Sequence, residues 1–177
     1  LVKVDVGFHR CGIDPESPRA AATIRDVAGL GGLIFLGLLA HAGHSYGAKS
    51  PEALAEIADT ECAILRNLAA HAKAQGVDVR EISVGSTPSA RFIASQDGVT
   101  EMRPGNYVFC DRTQVGLGAA SFDDCAMTIV STVVSRPVAS RVILDAGSKT
   151  LSSDAVRGFG SAMGHGLVYP SLDAAHP

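Results

Sequence analysis

The stretch Ile82-Ser83-Val84-Gly85-Ser86-Thr87-Pro88-Ser89 limits the fold more than any other part of the chain. Ile82 and Val84 alternate with polar residues as in a half-buried strand. Gly85 lets the backbone turn or approach a neighbour closely. Ser86 or Thr87 suits an N-cap, and Pro88 suits a first helical turn because it has no N–H to lose. A strand, a glycine turn and a helix start in eight residues present backbone N–H groups and two hydroxyls at one point. Those are parts of a phosphate cradle as well as of an ordinary capped helix.

Along the chain, strand and helix signals alternate. Val2 to Val6 reads as a strand, followed by Gly7 and Arg10-Cys11-Gly12. Arg19 to Ala28 reads as a helix closed by Gly29, with Ser17 as its cap. Leu33-Ile34-Phe35-Leu36 lies in a continuous apolar run and reads as a buried parallel strand. It leads into His41-Ala42-Gly43-His44-Ser45-Tyr46, two imidazoles and a phenol among small residues. Ser50, Pro51 and Glu52 open a long helix as cap, first residue and dipole partner. Leu54, Ile57, Ile64, Leu65, Leu68 and Ala72 form its apolar stripe, and Gly76 ends it. A helix over Arg91 to Ser95 and an Asp97-Gly98 turn come after the opening stretch. Gly105-Asn106 is read as a turn open to left-handed backbone and to anion contact.

The texture changes near residue 123. Met127 to Val134 and Val138 to Leu144 read as strands joined through Arg136-Pro137. Alternation before and consecutive strands after imply two architectures. Residues 1–122 are expected to be α/β and residues 123–177 mainly β. Asp111 to Gly118 is expected to cross between the units.

Charge and cysteine usage narrow the classes. The net charge is −3, with no Lys/Arg run, which argues against a nucleic-acid surface. The longest apolar run, Leu30 to Ala42, is broken by glycines and too short to span a bilayer. Cys11, Cys62, Cys110 and Cys125 are far apart, so reduced thiols in a cytoplasmic protein are expected. The chain starts at Leu1 as a strand already under way, and is read as a segment of a longer protein.

In order and spacing these pieces resemble the D-threonine aldolase and D-serine dehydratase family, which is alanine-racemase-like. The matching residues are Val4-Asp5-Val6-Gly7 with Arg10-Cys11-Gly12, His41 to Tyr46, Val84-Gly85-Ser86-Thr87-Pro88, Gly98 to Tyr107, and Asp145-Ala146-Gly147-Ser148-Lys149. The resemblance implies a partial (β/α)8 TIM-type barrel followed by the start of a mainly β C-terminal domain. It implies pyridoxal 5'-phosphate as cofactor, a divalent metal (Zn or Mn), a small D-amino acid substrate and a homodimer. Tyr46, Thr87, Gly105 and Asn106 would hold the cofactor, the last three nearest its phosphate. His41 would lie against its ring, and Arg10 would order the lysine side of the site. The Schiff-base lysine is expected before Leu1, so neither Lys3 nor Lys149 is given that role. The metal-binding pair is expected after Pro177, since His165 and His176 lack the required spacing. Some relatives carry a second tyrosine where this chain has Leu39.

The implied activity is a lyase reaction on D-3-hydroxy amino acids, with retro-aldol cleavage preferred. D-Serine dehydration is the alternative, and a racemase or a non-catalytic cofactor carrier are further ones.

Overall fold

A computed structural model describes residues 1–160 and 164–169. Four strands, β1 (Val2–Lys3), β2 (Gly37–Leu39), β3 (Glu81–Val84) and β4 (Glu101–Met102), pair in the order β1-β2-β3-β4. Every pairing is parallel. Helices α1 (Ala20–Ala28), α2 (Pro51–Ala74) and α3 (Ala90–Ile93) lie between successive strands. Sequential parallel strands with intervening helices are the repeat of a (β/α)8 barrel, and four such strands make half of one.

The register separates two faces. Lys3, Leu39, Ser83 and Glu101 are level with one another across the sheet. Side chains of successive residues alternate between faces, so these four share the concave side. There the Ser83 hydroxyl donates to Glu101 and accepts from Arg103, which also pairs with Glu101 at 2.7 Å. The other face carries Val4, Leu38, Ala40, Ile82 and Val84. They form one core with Ile24 of α1 and Ala58, Cys62, Leu65, Leu68 and Ala72 of α2.

Helix α2 forms where its sequence predicts. The Ser50 hydroxyl accepts the Ala53 N–H at 3.2 Å, and Pro51 is the first helical residue. Its buried stripe is Leu54, Ala58, Glu61, Cys62, Leu65, Leu68 and Ala72, while Ile57 and Ile64 are only half-buried. Helix α1 begins at Ala20, and the Ser17 hydroxyl accepts the Arg19 N–H just before it.

Several expectations are corrected. The apolar stretch Leu33 to Leu36 is not the strand; β2 starts at Gly37, and Leu33 and Ile34 are 60% and 82% exposed. The sheet can start there because Gly37 lies against the Glu81 backbone, where a Cβ would collide. The first strand is shorter than expected, and Val4 makes an isolated bridge to Ile13. Glu101–Met102, given no strand in the sequence reading, pairs with β3. Asp111 to Gly118 holds a short helix, α4 (Arg112–Gly116), with Asp111 accepting the Gln114 N–H at 3.0 Å.

Past residue 124, the two strands among the described residues are β5 (Val133–Val138) and β6 (Arg141–Leu144), an antiparallel hairpin. Met127 and Val130 lie outside both and are 73% and 87% exposed. Arg136-Pro137 lies inside β5 rather than between the strands. The pairing is irregular between Ser135 and Val138, and a residue without an N–H is tolerated at such a break in the ladder. His176 lies outside the described residues.

Candidate cofactor site

The C-terminal ends of β1 to β4 deliver the sequence-predicted residues to one rim. His41 follows β2 on the concave face. Its Nδ1–H donates to the Gly85 carbonyl at 3.0 Å, because a carbonyl can only accept. A neutral ring then presents Nε2 as an acceptor. Phe8 meets His41 edge-to-face, with centroids 6.2 Å apart. Arg10 is exposed and reaches this group through Phe8, its guanidinium carbon 5.3 Å from the ring centroid.

The turn after β3 differs from its expected form. Gly85 adopts φ +102°, a conformation that favours glycine. Helix α3 starts only at Ala90, after a turn through Thr87, Pro88 and Ser89. Neither Ser86 nor Thr87 is its cap, and Pro88 precedes the helix. Instead the Ser86 N–H is taken by the Ser89 hydroxyl at 3.0 Å. Four helical residues provide little dipole, so any anion here would depend on local N–H and O–H groups.

The turn after β4 is also corrected. Gly105 has φ −101° and Asn106 begins a short 3-10 turn, Asn106–Val108, so neither is left-handed. The two turns nevertheless meet. The Asn106 N–H donates to Thr87 Oγ1 at 2.9 Å. Thr87 is 7% exposed, and its own O–H remains a donor for an oxyanion.

Polar contacts continue around the rim. Asn106 Nδ2 donates to Asp111 at 2.8 Å, and Gln114 Nε2 donates to the Tyr46 hydroxyl at 3.4 Å. Beside Tyr46, Ser45 shares a hydrogen bond of 2.9 Å with Ser86. The circuit therefore runs Tyr46, Gln114, Asp111, Asn106, Thr87, Ser86, Ser45 and back to Tyr46.

His44, the third member of the β2 constellation, lies beside Gly7. Burial lowers its imidazole pKa, and its Nδ1 has no partner among the described residues. All four cysteines are free, and burial pushes the Cys62 thiol up to about 11.

The sequence reading missed two residues. Gln114 is fully buried, with Oε1 unpartnered among the described residues. Glu61 is buried on α2 and bonded to both rim loops. A signal for Glu61 existed: it is in phase with Leu54, Ala58, Leu65, Leu68 and Ala72 on an otherwise apolar stripe. For Gln114 the five-residue helix gave no comparable periodicity.

A hollow of about 360 Å³ lies at the other end of the strands, between Arg25, Phe35, Gln75 and Asp78. It lies away from every residue expected in the site. Among the described residues, no group of three or more His, Cys, Asp or Glu is placed to hold a metal, and no helix is long and apolar enough to cross a membrane.

Comparison with known proteins bears on the family and the fold. Residues 126–175 match the family described as a putative serine dehydratase domain. D-serine dehydratase of Dictyostelium discoideum is 33% identical over 87% of this chain and 41% of its own length. D-threo-3-hydroxyaspartate dehydratase of Delftia sp. (strain HT23) is 34% identical over 86% of this chain and 40% of its own. Its solved structure superposes with a TM-score of 0.76 at 36% identity, covering the same shares. D-threonine aldolase of Arthrobacter sp. is 31% identical over 99% of this chain and 46% of its own length. The chain thus spans a little under half the length of these relatives. Residues 1–113 match the alanine racemase N-terminal domain, and with more than half of its length matched the chain belongs to that family.

Proposed function

We propose that the rim of β1 to β4 holds pyridoxal 5'-phosphate and that the full-length protein is a lyase acting on D-3-hydroxy amino acids. The observation that carries this reading is the Asn106 N–H to Thr87 hydroxyl contact, which draws two turns together next to His41. The donor set fits the group. Thr87 and the Gly105-Asn106 turn would face the phosphate, with Tyr46 supporting the same end. His41 would lie against the pyridine ring, its Nδ1–H engaged by Gly85. Arg10, held over Phe8, would reach the lysine side. When bound, the cofactor supplies an electron sink for the electrons left at the substrate Cα. This chain's residues bind and orient it, and the Phe8–His41 contact keeps the imidazole in one orientation.

The family resemblance implies a divalent metal as well. Among the described residues no group of three or more His, Cys, Asp or Glu is placed to hold one. We take residues 1–122 as barrel and 123–177 as the start of the β domain, a division falling between the two matched stretches. A homodimer is part of the same proposal.

Between the two lyase reactions, dehydration to a 2-oxo acid and ammonia is the first reading. It is supported by the match over residues 126–175 and by three dehydratases among the relatives. Retro-aldol cleavage, preferred from the sequence alone, is the second, supported by the aldolase match across 99% of the chain. The test is to incubate the full-length parent and pyridoxal phosphate with D-serine, D-threo-3-hydroxyaspartate and D-threonine. A 2-oxo acid with ammonia is expected; glycine with an aldehyde would select the second reading. Appearance of the L-enantiomer alone, or cofactor binding without turnover, would overturn both.

A further inference from the structure

Glu61 is 1% exposed at the middle of α2, among apolar residues. One of its oxygens serves two loops. Oε1 accepts the Ala42 N–H at 3.0 Å and the Gly85 N–H at 3.2 Å. Ala42 follows His41 in the chain. Gly85 accepts the His41 Nδ1–H through its carbonyl. A carboxyl, three peptide groups and an imidazole therefore form one clamp joining the ends of β2 and β3. The second oxygen, Oε2, is buried without a hydrogen-bond partner among the described residues. Burial raises the Glu61 pKa, while the two N–H donors act in the opposite sense. A core built for stability alone has little use for a carboxyl half of whose capacity is unpaired.

We infer that Glu61 is a positioning residue of the cofactor site, fixing the spacing of the β2 and β3 turns and, through Gly85, the orientation of His41. Glu61 itself stays behind the rim and touches no substrate. Shortening the side chain by one methylene takes Oε1 out of reach of at least one N–H. Replacing the carboxyl by a carboxamide keeps the acceptor and removes the charge. Geometry, rather than charge, is the property that matters for the clamp.

The inference rests on the proposed cofactor, and the test separates the two. In the full-length parent, pyridoxal phosphate is titrated into wild type, Glu61→Asp, Glu61→Gln and Leu65→Ala, following affinity and the absorption band of the bound cofactor. Leu65 is fully buried on the same helix and supplies a purely structural loss. Glu61→Asp is expected to weaken affinity about ten-fold or more and to shift the band, on the scale of one lost hydrogen bond. Glu61→Gln is expected to stay near wild type, and Leu65→Ala to lower Tm while leaving the band unmoved. If Glu61→Asp matches Leu65→Ala, with Tm lowered and the band and affinity retained, the positioning role is wrong. If Glu61→Gln loses as much affinity as Glu61→Asp, the shared-acceptor geometry is wrong. A wild type that binds no pyridoxal phosphate overturns the cofactor reading and this inference with it.

Discussion

Thr87 is buried and accepts one hydrogen bond through its hydroxyl oxygen. Its oxygen accepts the Asn106 N–H, which leaves its proton for a ligand. Thr87→Ala removes both and leaves an N–H without its acceptor. Pyridoxal phosphate binding in the full-length parent should weaken by about 1.5–3 kcal/mol, measured by titration. Gly105→Val provides the contrast. Gly105 has φ −101° and nothing within 4 Å of an added Cβ, so the fold accepts a side chain there. Tm should hold while cofactor affinity falls, since the new side chain competes only with the phosphate. A valine at Gly85 would report something else, because φ +102° and Ile93 Cδ1 at 3.0 Å oppose any Cβ. Sequence motifs placed Thr87 and Asn106 in one site. They could not show which turn needs glycine for its backbone and which for its open space. That distinction is set by neighbours distant in the chain.

Among the elements, α2 was the most legible because its signals agree. Cap, first-turn proline, apolar stripe and terminal glycine all mark one helix. Ser50→Ala should remove about 1 kcal/mol of stability, read as a lower denaturation midpoint at unchanged slope. The strand β2 was misplaced for an equally physical reason. Residues 33–36 are as apolar as a buried strand, yet hydrophobicity alone does not separate a strand from the loop that approaches it. What fixes the start is Gly37 against the Glu81 backbone, a contact with a strand more than 40 residues away. Similarly, β4 is two residues long, and its placement comes from the β3 edge it pairs with. The hairpin was legible as two consecutive strands but not in its bounds: the expected Met127–Val134 shares only Val133 and Val134 with β5, and Pro137, read as a break, sits inside β5 at an irregular point of the ladder.

At the scale of the whole molecule, the four-stranded sheet has a polar concave face and two outer strands, β1 and β4. Lys3, Ser83, Glu101 and Arg103 line that face, and both Glu101 and Arg103 are exposed. In a closed barrel such a layer is covered by the remaining strands. The 177-residue chain alone is therefore expected to give no turnover of D-serine or D-threonine and to self-associate through its edges. Sizing chromatography and a 2-oxo acid assay check this, and robust turnover by the isolated chain would contradict it.

The circuit from Tyr46 through Gln114, Asp111, Asn106, Thr87, Ser86 and Ser45 has a consequence for how such a barrel can be recombined. Three of its joints, Tyr46–Gln114, Asn106–Thr87 and Ser45–Ser86, take their two partners from different strand–helix units. A chimera that exchanges a single unit with a relative would replace one side of two joints at once. Crossovers placed within residues 46–114 should separate partners that were matched to each other. Crossovers before residue 41 or after residue 118 leave the circuit whole. The rim is thus a single inheritable block of about half the barrel, although the fold beneath it is built from repeats that look interchangeable.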